Sequence, residues 1–405
     1  IVRYGSWRFN DNEDSFQKHL RESDNSKTII QVLRDGSELD IQIKPDPILV
    51  KDAKEIARLI KRNRLFRDRL NVEQSKLETD LVEAVRVSSS SEQAYRKLNQ
   101  IVDRFNLSHT AVITPWVAKN IFGEGDKYHL GLYLQKIKHE GKNKYFIRSM
   151  MHGSAAREAG LLIGDEITSL NQLNIKLSPR LTLAGYEHRR QMYTIKIDKN
   201  EAVSIEFKRT KEDKKRTVIA TANQPLSAKK SISKSIRLFP LGSDNVAGYI
   251  HLWNFMSREN ATILKEALQN NFSKASGLVI DLRGRGGKVD VIRIIAKMLS
   301  DQRKPTILII DQESRSAKEM LAHRLKGLPH ITLVGETTAG AVLPATLENL
   351  YADAKLMIPS QRGDSQILPF MKNTRLEGRG AFPDINVQSN LPFSAGKDEI
   401  LLKSI

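Results

Sequence analysis

From Val246 onward the chain alternates short apolar runs with helix-periodic stretches, and few folds accept that order. "GYIHLWNF", "GLVIDL", "TILII" and "ITLVGE" read as strands, while residues 258–270, 289–299 and the stretch around Met320, Leu321 and Leu325 place apolar residues at helical spacing between and after them. Strands apolar on both faces and separated by helices require a buried, mostly parallel sheet with helices packed on it. An α/β core over residues 241–405 is therefore expected.

The 405 residues exceed what one small core organises, so several domains are expected. Residues 128–222 alternate as strands ("YHLGLYLQKIK", "KYFIRSMM", "AVSIEFKRT") around a short helix and turn in "GSAAREAGLLIGDEITSLNQLNI". Residues 48–127 are mainly helical: "AKEIARLIKRNRLF", "KLETDLVEAVRV" and "AYRKLNQIVDRF" carry apolar residues at i, i+3 and i+4, with Ser91 or a neighbour as cap of the third. Residues 1–47 read as a turn, a helix in "NEDSFQKHLRES" and a hairpin about Asp35-Gly36. A basic linker, 223–240, precedes the core.

Apolar and charged fractions of 40% and 28% are ordinary for a globular protein, and no apolar run approaches the length of a membrane-spanning helix. The absence of cysteine excludes thiol nucleophiles, disulfides and cysteine-ligated zinc. The net charge of +18 raises a nucleic-acid reading. However, the strongest basic runs, "FKRTKEDKKRT" and "SAKKSISKSIR", have no aromatic residues interleaved among their cations for base stacking, so a solvated basic surface is expected. Peripheral contact with an anionic membrane or cell-wall polymer is left open.

Two loops at strand ends carry the chemistry candidates. In "IIDQESRSAKEMLAH", Ser316 and Glu319 form a capping-box pattern, yet a serine at a helix start beyond a buried strand also suits a nucleophile. In "LVIDLRGRGGKVD", the glycines permit a tight turn that aims N–H groups outward. Each loop alone is ambiguous.

Together, and in this order, "GYIHLWNF", "GLVIDLRGRGG", "IIDQESRSAKEMLAH", "ITLVGETTAG" and "EGRGAFPDINVQ" resemble the core of the C-terminal processing (tail-specific) serine peptidases, peptidase family S41, which includes tricorn protease. The resemblance implies a crotonase/ClpP-like ββα core. It also implies that residues 128–222 are a PDZ domain, with "HLGLYL" (Leu130, Gly131, Leu132) as its carboxylate-binding loop. Residues 1–47 resemble the second half of another PDZ domain, its first half lying before Ile1.

The family's "SASAxE" motif falls on "SRSAKE", which selects Ser316 as nucleophile and leaves Ser314 as a turn or cap residue. Gly286, Gly287 and Ala317 are implied as oxyanion-hole donors. The lysine that one branch places after "GETTFG" is Ala341 here, and Lys318 and Lys326 are poorly spaced to replace it. The tricorn-like branch takes a histidine from an "SHT" motif, matched by "NLSHTAVI". Its base would be His109, assisted by Ser108 and by Glu377 of "LEGRGAFPDI". A competing reading pairs Glu377 with Arg375 or Arg379. Ala381, in place of a branched residue, and Arg315, inside the nucleophile motif, depart from the family pattern.

The implied activity is endopeptidase cleavage through an acyl-enzyme, with no metal or organic cofactor. Its substrates would be proteins or peptides with free C-termini, its partners would not include nucleic acid, an oligomer is left open, and the location would be the bacterial periplasm or otherwise extracytoplasmic. The alternative is a catalytically inactive PDZ scaffold that binds protein tails.

Overall fold

A computed structural model of the chain describes residues 2–4, 7–8, 28–34, 37–43, 47–67, 76–122, 126–187, 190–242, 244–362, 365 and 367–405. The expected helix in "NEDSFQKHLRES" and the Asp35-Gly36 turn lie outside the described residues. Four strands near the N-terminus, β1 (Val2–Tyr4), β2 (Trp7–Arg8), β3 (Thr28–Arg34) and β4 (Ser37–Ile43), form a sheet of order β2-β1-β3-β4.

The helical segment follows as α1 (Pro47–Arg62), α2 (Arg64–Arg67), α3 (Leu77–Arg86) and α4 (Ser91–Val102). On α1 the stripe Leu49, Ala53, Ile56, Ala57 and Ile60 is buried, as its spacing requires. The cap of α4 is Ser90, whose hydroxyl accepts from Gln93 N–H at 3.2 Å.

This segment does not close its own core. Its buried residues form one cluster with Leu343, Leu350, Ala354, Leu356 and Ile358, from a hairpin inserted in the C-terminal part. The strand after α4, β5 (Ala111–Ile113), pairs antiparallel with that hairpin's second strand. Asn99 binds both the N–H and the C=O of Val112, fixing α4 to β5 on either side of the Ser108–Thr110 turn.

The middle module contains β6 (Leu132–His139), β7 (Lys142–Met150), α5 (Ala155–Glu158), β8 (Glu166–Leu170), β9 (Leu173–Asn174), β10 (Leu181–Glu187), β11 (Arg190–Ile195), β12 (Ala202–Lys208) and β13 (Arg216–Thr221). Their order is β10-β11-β6-β7-β8-β12-β13, with β9 beside β8. β6 lies between β7 and β11, with Gln135 opposite Met192 and Leu134 opposite Tyr193.

The expected linker is structured. It forms α6 (Ala228–Ser235) and β14 (Arg237–Pro240), and Ile232 is fully buried against the core. Then come β15 (Val246–His251), α7 (Arg258–Glu266), β16 (Gly277–Asp281), α8 (Val289–Asp301), β17 (Thr306–Ile310), α9 (Ala317–Leu325) and β18 (Ile331–Gly335). The inserted hairpin is β19 (Ala345–Asn349) and β20 (Lys355–Pro359), followed by β21 (Ile385–Asn386) and α10 (Glu399–Leu402).

The order β14-β15-β16-β17-β18-β21 is parallel except for its antiparallel first pair. Alternate residues serve two cores. Ile280, Leu308, Ile310 and Leu333 join the large cluster containing α7, α8 and α9, while Val279, Ile309 and Val334 join a smaller one with Ile400. The sheet is apolar on both faces because both are covered. The loops after β15, β16, β17 and β18 emerge at its carboxyl edge, where open α/β sheets place their sites.

Candidate active site

Ser316 stands between β17 and α9 with φ 56° and ψ −123°, a backbone strained for a residue bearing a Cβ. A buried carboxylate holds it there. Glu319 Oε1 accepts from Ser316 N–H at 3.0 Å and Ala341 N–H at 2.8 Å; Oε2 accepts from Gly340 N–H and the Thr338 hydroxyl, both at 2.6 Å. Burial pushes the Glu319 carboxyl up, and these four donors oppose that shift. Ser316 N–H lies 2.9 Å from Ala341 O as well. The sequence showed Glu319 only as a helix cap; its hold on the "TTAGA" turn comes from the parallel neighbour β18.

The glycine loop presses on the serine from β16. A Cβ on Gly286 would lie 2.7 Å from Ser316 Cβ and 3.3 Å from Ala317 N, and one on Gly287 would overlap Phe255. Phe255 N–H donates to Gly286 O at 3.0 Å, and Lys288 N–H donates to Phe255 O at 3.0 Å. Among the described residues, none accepts a hydrogen bond from the N–H of Gly286, Gly287 or Ala317. The glycine loop thus lies against the start of α9, at Ser316 and Ala317.

Ser314 is fully buried, and its hydroxyl donates to Leu282 O at 3.0 Å while accepting from Asp311 N–H at 3.1 Å. Neither candidate lysine is free to serve the nucleophile. Lys318 Nζ donates to Trp253 O and Arg283 O, and Lys326 Nζ donates to Phe382 O.

Ser108 and His109 lie in the turn before β5, both buried, and His109 has φ 57°. Ser108 Oγ lies 3.2 Å from His109 Nδ1 and 2.9 Å from Glu377 Oε2; Ser108 N–H also donates to Glu377 Oε1 at 3.1 Å. A hydroxyl has one hydrogen. If Ser108 gives it to the carboxylate, Nδ1 must carry the imidazole proton in their contact, leaving Nε2 as the acceptor.

Glu377 Oε2 further accepts from Val342 N–H at 3.0 Å and Leu343 N–H at 3.3 Å. Among the described residues Glu377 makes no ion pair with Arg375, Arg379 or any other cation. Its partners therefore adjoin Ala341, the residue whose carbonyl meets Ser316 N–H. Residues distant in sequence are gathered around the single run Gly340 to Leu343.

Leu130, Gly131 and Leu132, the expected carboxylate loop, lie at and just before the start of β6. Leu130 and Leu132 are fully buried, and Gly131 N–H donates to His129 Nδ1 at 3.1 Å. A Cβ on Gly131 would meet Leu226 and Ser154 at 2.5 and 2.6 Å. Thr194, on β11, donates its hydroxyl to Leu132 O at 2.9 Å. One edge of β6 pairs over Leu134 and Gln135 with β11 of the chain's own hairpin β10–β11. Sequence periodicity did not reveal this pairing because it is a long-range choice between two edges.

Residues 296–387 match the model of peptidase family S41. The matched segment runs from within α8 to just past β21 of the α/β core. The carboxy-terminal processing proteases CtpA and CtpB of Bacillus subtilis (strain 168) are 24% identical over 228 residues and 26% identical over 224. These matches cover 50% and 49% of this chain but 45% and 44% of the relatives, so the chain spans under half the length of either.

In fold, the chain is similar to a photosystem II D1 C-terminal processing protease. That likeness has TM-score 0.50 and 18% identity, over 86% of this chain and 97% of the other. A putative S41 protease from Bacteroides fragilis also gives 0.50, at 15% identity over 86% and 95%. Among the described residues no helix is long and apolar enough to cross a membrane.

Proposed function

We propose that this chain is a serine endopeptidase of the C-terminal processing type, using Ser316, His109, Ser108 and Glu377 in a tricorn-like arrangement. The observation that carries the reading is the hydrogen-bonded chain from Glu377 through Ser108 to His109, anchored on the N–H groups beside the residue that holds Ser316.

In this reading His109 Nε2 takes the Ser316 hydroxyl proton as Oγ attacks the scissile carbonyl carbon. The oxygen becomes an oxyanion facing the N–H groups of Gly286, Gly287 and Ala317. Collapse breaks the C–N bond, and the imidazolium returns its proton to the leaving amine. Water, deprotonated by His109, then hydrolyses the acyl-enzyme. Glu377 and Ser108 hold the imidazole in the Nδ1–H form and stabilise its charged state.

The substrate would be a protein or peptide cleaved near its C-terminus. Labelling with a fluorophosphonate and turnover of casein test the proposal. Wild type should react and Ser316→Ala should not, with turnover falling by about 10³-fold or more. Equal turnover by both proteins would overturn the assignment.

A further inference from the structure

We propose that Lys318 is a positioning residue for the oxyanion site, bracing from within the core the two backbone segments that carry its N–H groups and a third, around Phe255, that is hydrogen-bonded to the glycine loop. The inference rests on the serine-peptidase reading above. Lysine is almost never fully buried without a charged partner, yet Lys318 is fully buried and its ammonium ends on two carbonyls, Trp253 O at 3.1 Å and Arg283 O at 2.5 Å. Among the described residues no carboxylate forms an ion pair with it.

The two carbonyls are not arbitrary points. Trp253 lies two residues before Phe255, whose N–H and C=O bracket Gly286 to Lys288. Arg283 is the last residue before the turn at Gly284, where φ is 98° and an added Cβ would lie 3.6 Å from Lys318 Nζ. Lys318 itself follows Ala317 in the first turn of α9. One ammonium therefore joins segments 253–255, 283–287 and 316–318. When protonated it also places positive charge beside the loop, the sign that a developing oxyanion needs.

The arrangement opposes stability, which argues against a role in folding alone. Burial lowers the Lys318 pKa to about 7, against the attraction of Asp281 and Asp311 and with further lowering by Arg283. The charged or titratable groups around it are those three and His251, whose Nε2 lies 3.0 Å from the same Arg283 carbonyl; the Phe255 ring lies 5.7 Å from Nζ. A methionine would fill this space without the desolvation cost.

The test compares wild type with Lys318→Met and Lys318→Arg by fluorophosphonate labelling rate, peptide turnover, peptide-aldehyde affinity and thermal midpoint. Lys318→Met should lower kcat and labelling by about 100-fold and weaken the aldehyde in parallel. KM should stay within about twofold, because ground-state binding is untouched. Its thermal midpoint should equal or exceed that of wild type, and Lys318→Arg should recover at least about a tenth of the lost rate.

Lys318→Met labelling within about threefold of wild type would sink the inference alone. So would a loss explained by a collapsed midpoint, or a loss that Lys318→Arg leaves wholly unrelieved. A wild type that does not label at all would remove the peptidase reading, and this inference with it.

Discussion

The two halves of the candidate site are built differently. The nucleophile half (Gly286, Gly287, Ser316, Ala317 and Glu319) stands on loops at the carboxyl edge of one parallel sheet. Adjacent strands set its spacing, and one buried carboxylate ties Ser316 to the turn after β18. The base half (Ser108, His109 and Glu377) joins a turn between α4 and β5 to a turn more than 260 residues later, Ser108 to Glu377 being 269 positions apart. Its place depends on the core shared by the helical segment and the β19–β20 hairpin. The first half tolerates distant change as long as the sheet forms. The second is exposed to packing far from the chemistry, since a misplacement of about 1 Å can cost 10²-fold in rate.

The comparison can be broken most directly at His109. His109→Ala should reduce casein turnover by about 10²–10⁴-fold, the range for loss of a general base, and leave the thermal midpoint nearly unchanged. Retained activity would detach the base half from catalysis.

Glu319→Gln probes the other half. An amide nitrogen cannot accept from donors that now converge on a carboxylate, so a loss of about 2–4 kcal/mol of stability and tenfold or more in turnover is expected. A chemical-denaturation curve run beside the activity assay checks both.

Ser108→Ala and Glu377→Gln should each lower kcat by about 10–100-fold. Combined, they should cost little more than the worse single change, because both act through one imidazole. A double-mutant cycle that gave simple additivity would show that the carboxylate reaches His109 by another route.

Asn99→Ala tests the claimed fragility, as it removes the link between α4 and β5 without touching the site. A fall of about 3–10-fold in turnover, with fluorophosphonate reactivity of the wild-type kind restored by low temperature, would sharpen the contrast.

Acid should act most gently, and on the nucleophile side. Burial lowers the pKa of His152 to about 3, with His251 adding to the shift, and that of His251 to about 4 against the pull of Asp281. Their rings are 5.5 Å apart, and His251 meets the Arg283 carbonyl at the base of the glycine loop. Both are neutral when folded, whereas unfolded histidine takes a proton below about pH 6.5. The unfolded chain thus binds more protons as pH falls, and stability is lost between about pH 6.5 and 3. Calorimetry should find the thermal midpoint lower by roughly 5–10 °C at pH 4 than at pH 6.5.

Much of the nucleophile half was legible because it is local. A strand, a glycine turn, a serine and a glutamate three residues later each leave a pattern within a dozen residues. His109 and Glu377 were reachable only through family motifs, since no periodicity links a turn at 109 with one at 377. In the linker at 223–240 the lysines mask the buried stripe of α6, where Ser231, Ile232 and Ser235 are buried. The pairing of β11 with β6 was illegible for the opposite reason. The β10–β11 segment has an ordinary strand pattern, and nothing in that pattern says which edge it will choose.

By itself, then, the order of apolar runs pointed to a parallel sheet, while only the resemblance to a family motif singled out Ser316 over Ser314 at its edge. Tertiary structure alone decided that Lys318 points at two carbonyls rather than at Ser316, that Glu377 meets Ser108 rather than an arginine, and that β11 pairs with β6. The physical reason is reach. Backbone periodicity and capping act over a few residues, whereas hydrogen bonds between distant segments exist only after burial has brought those segments together.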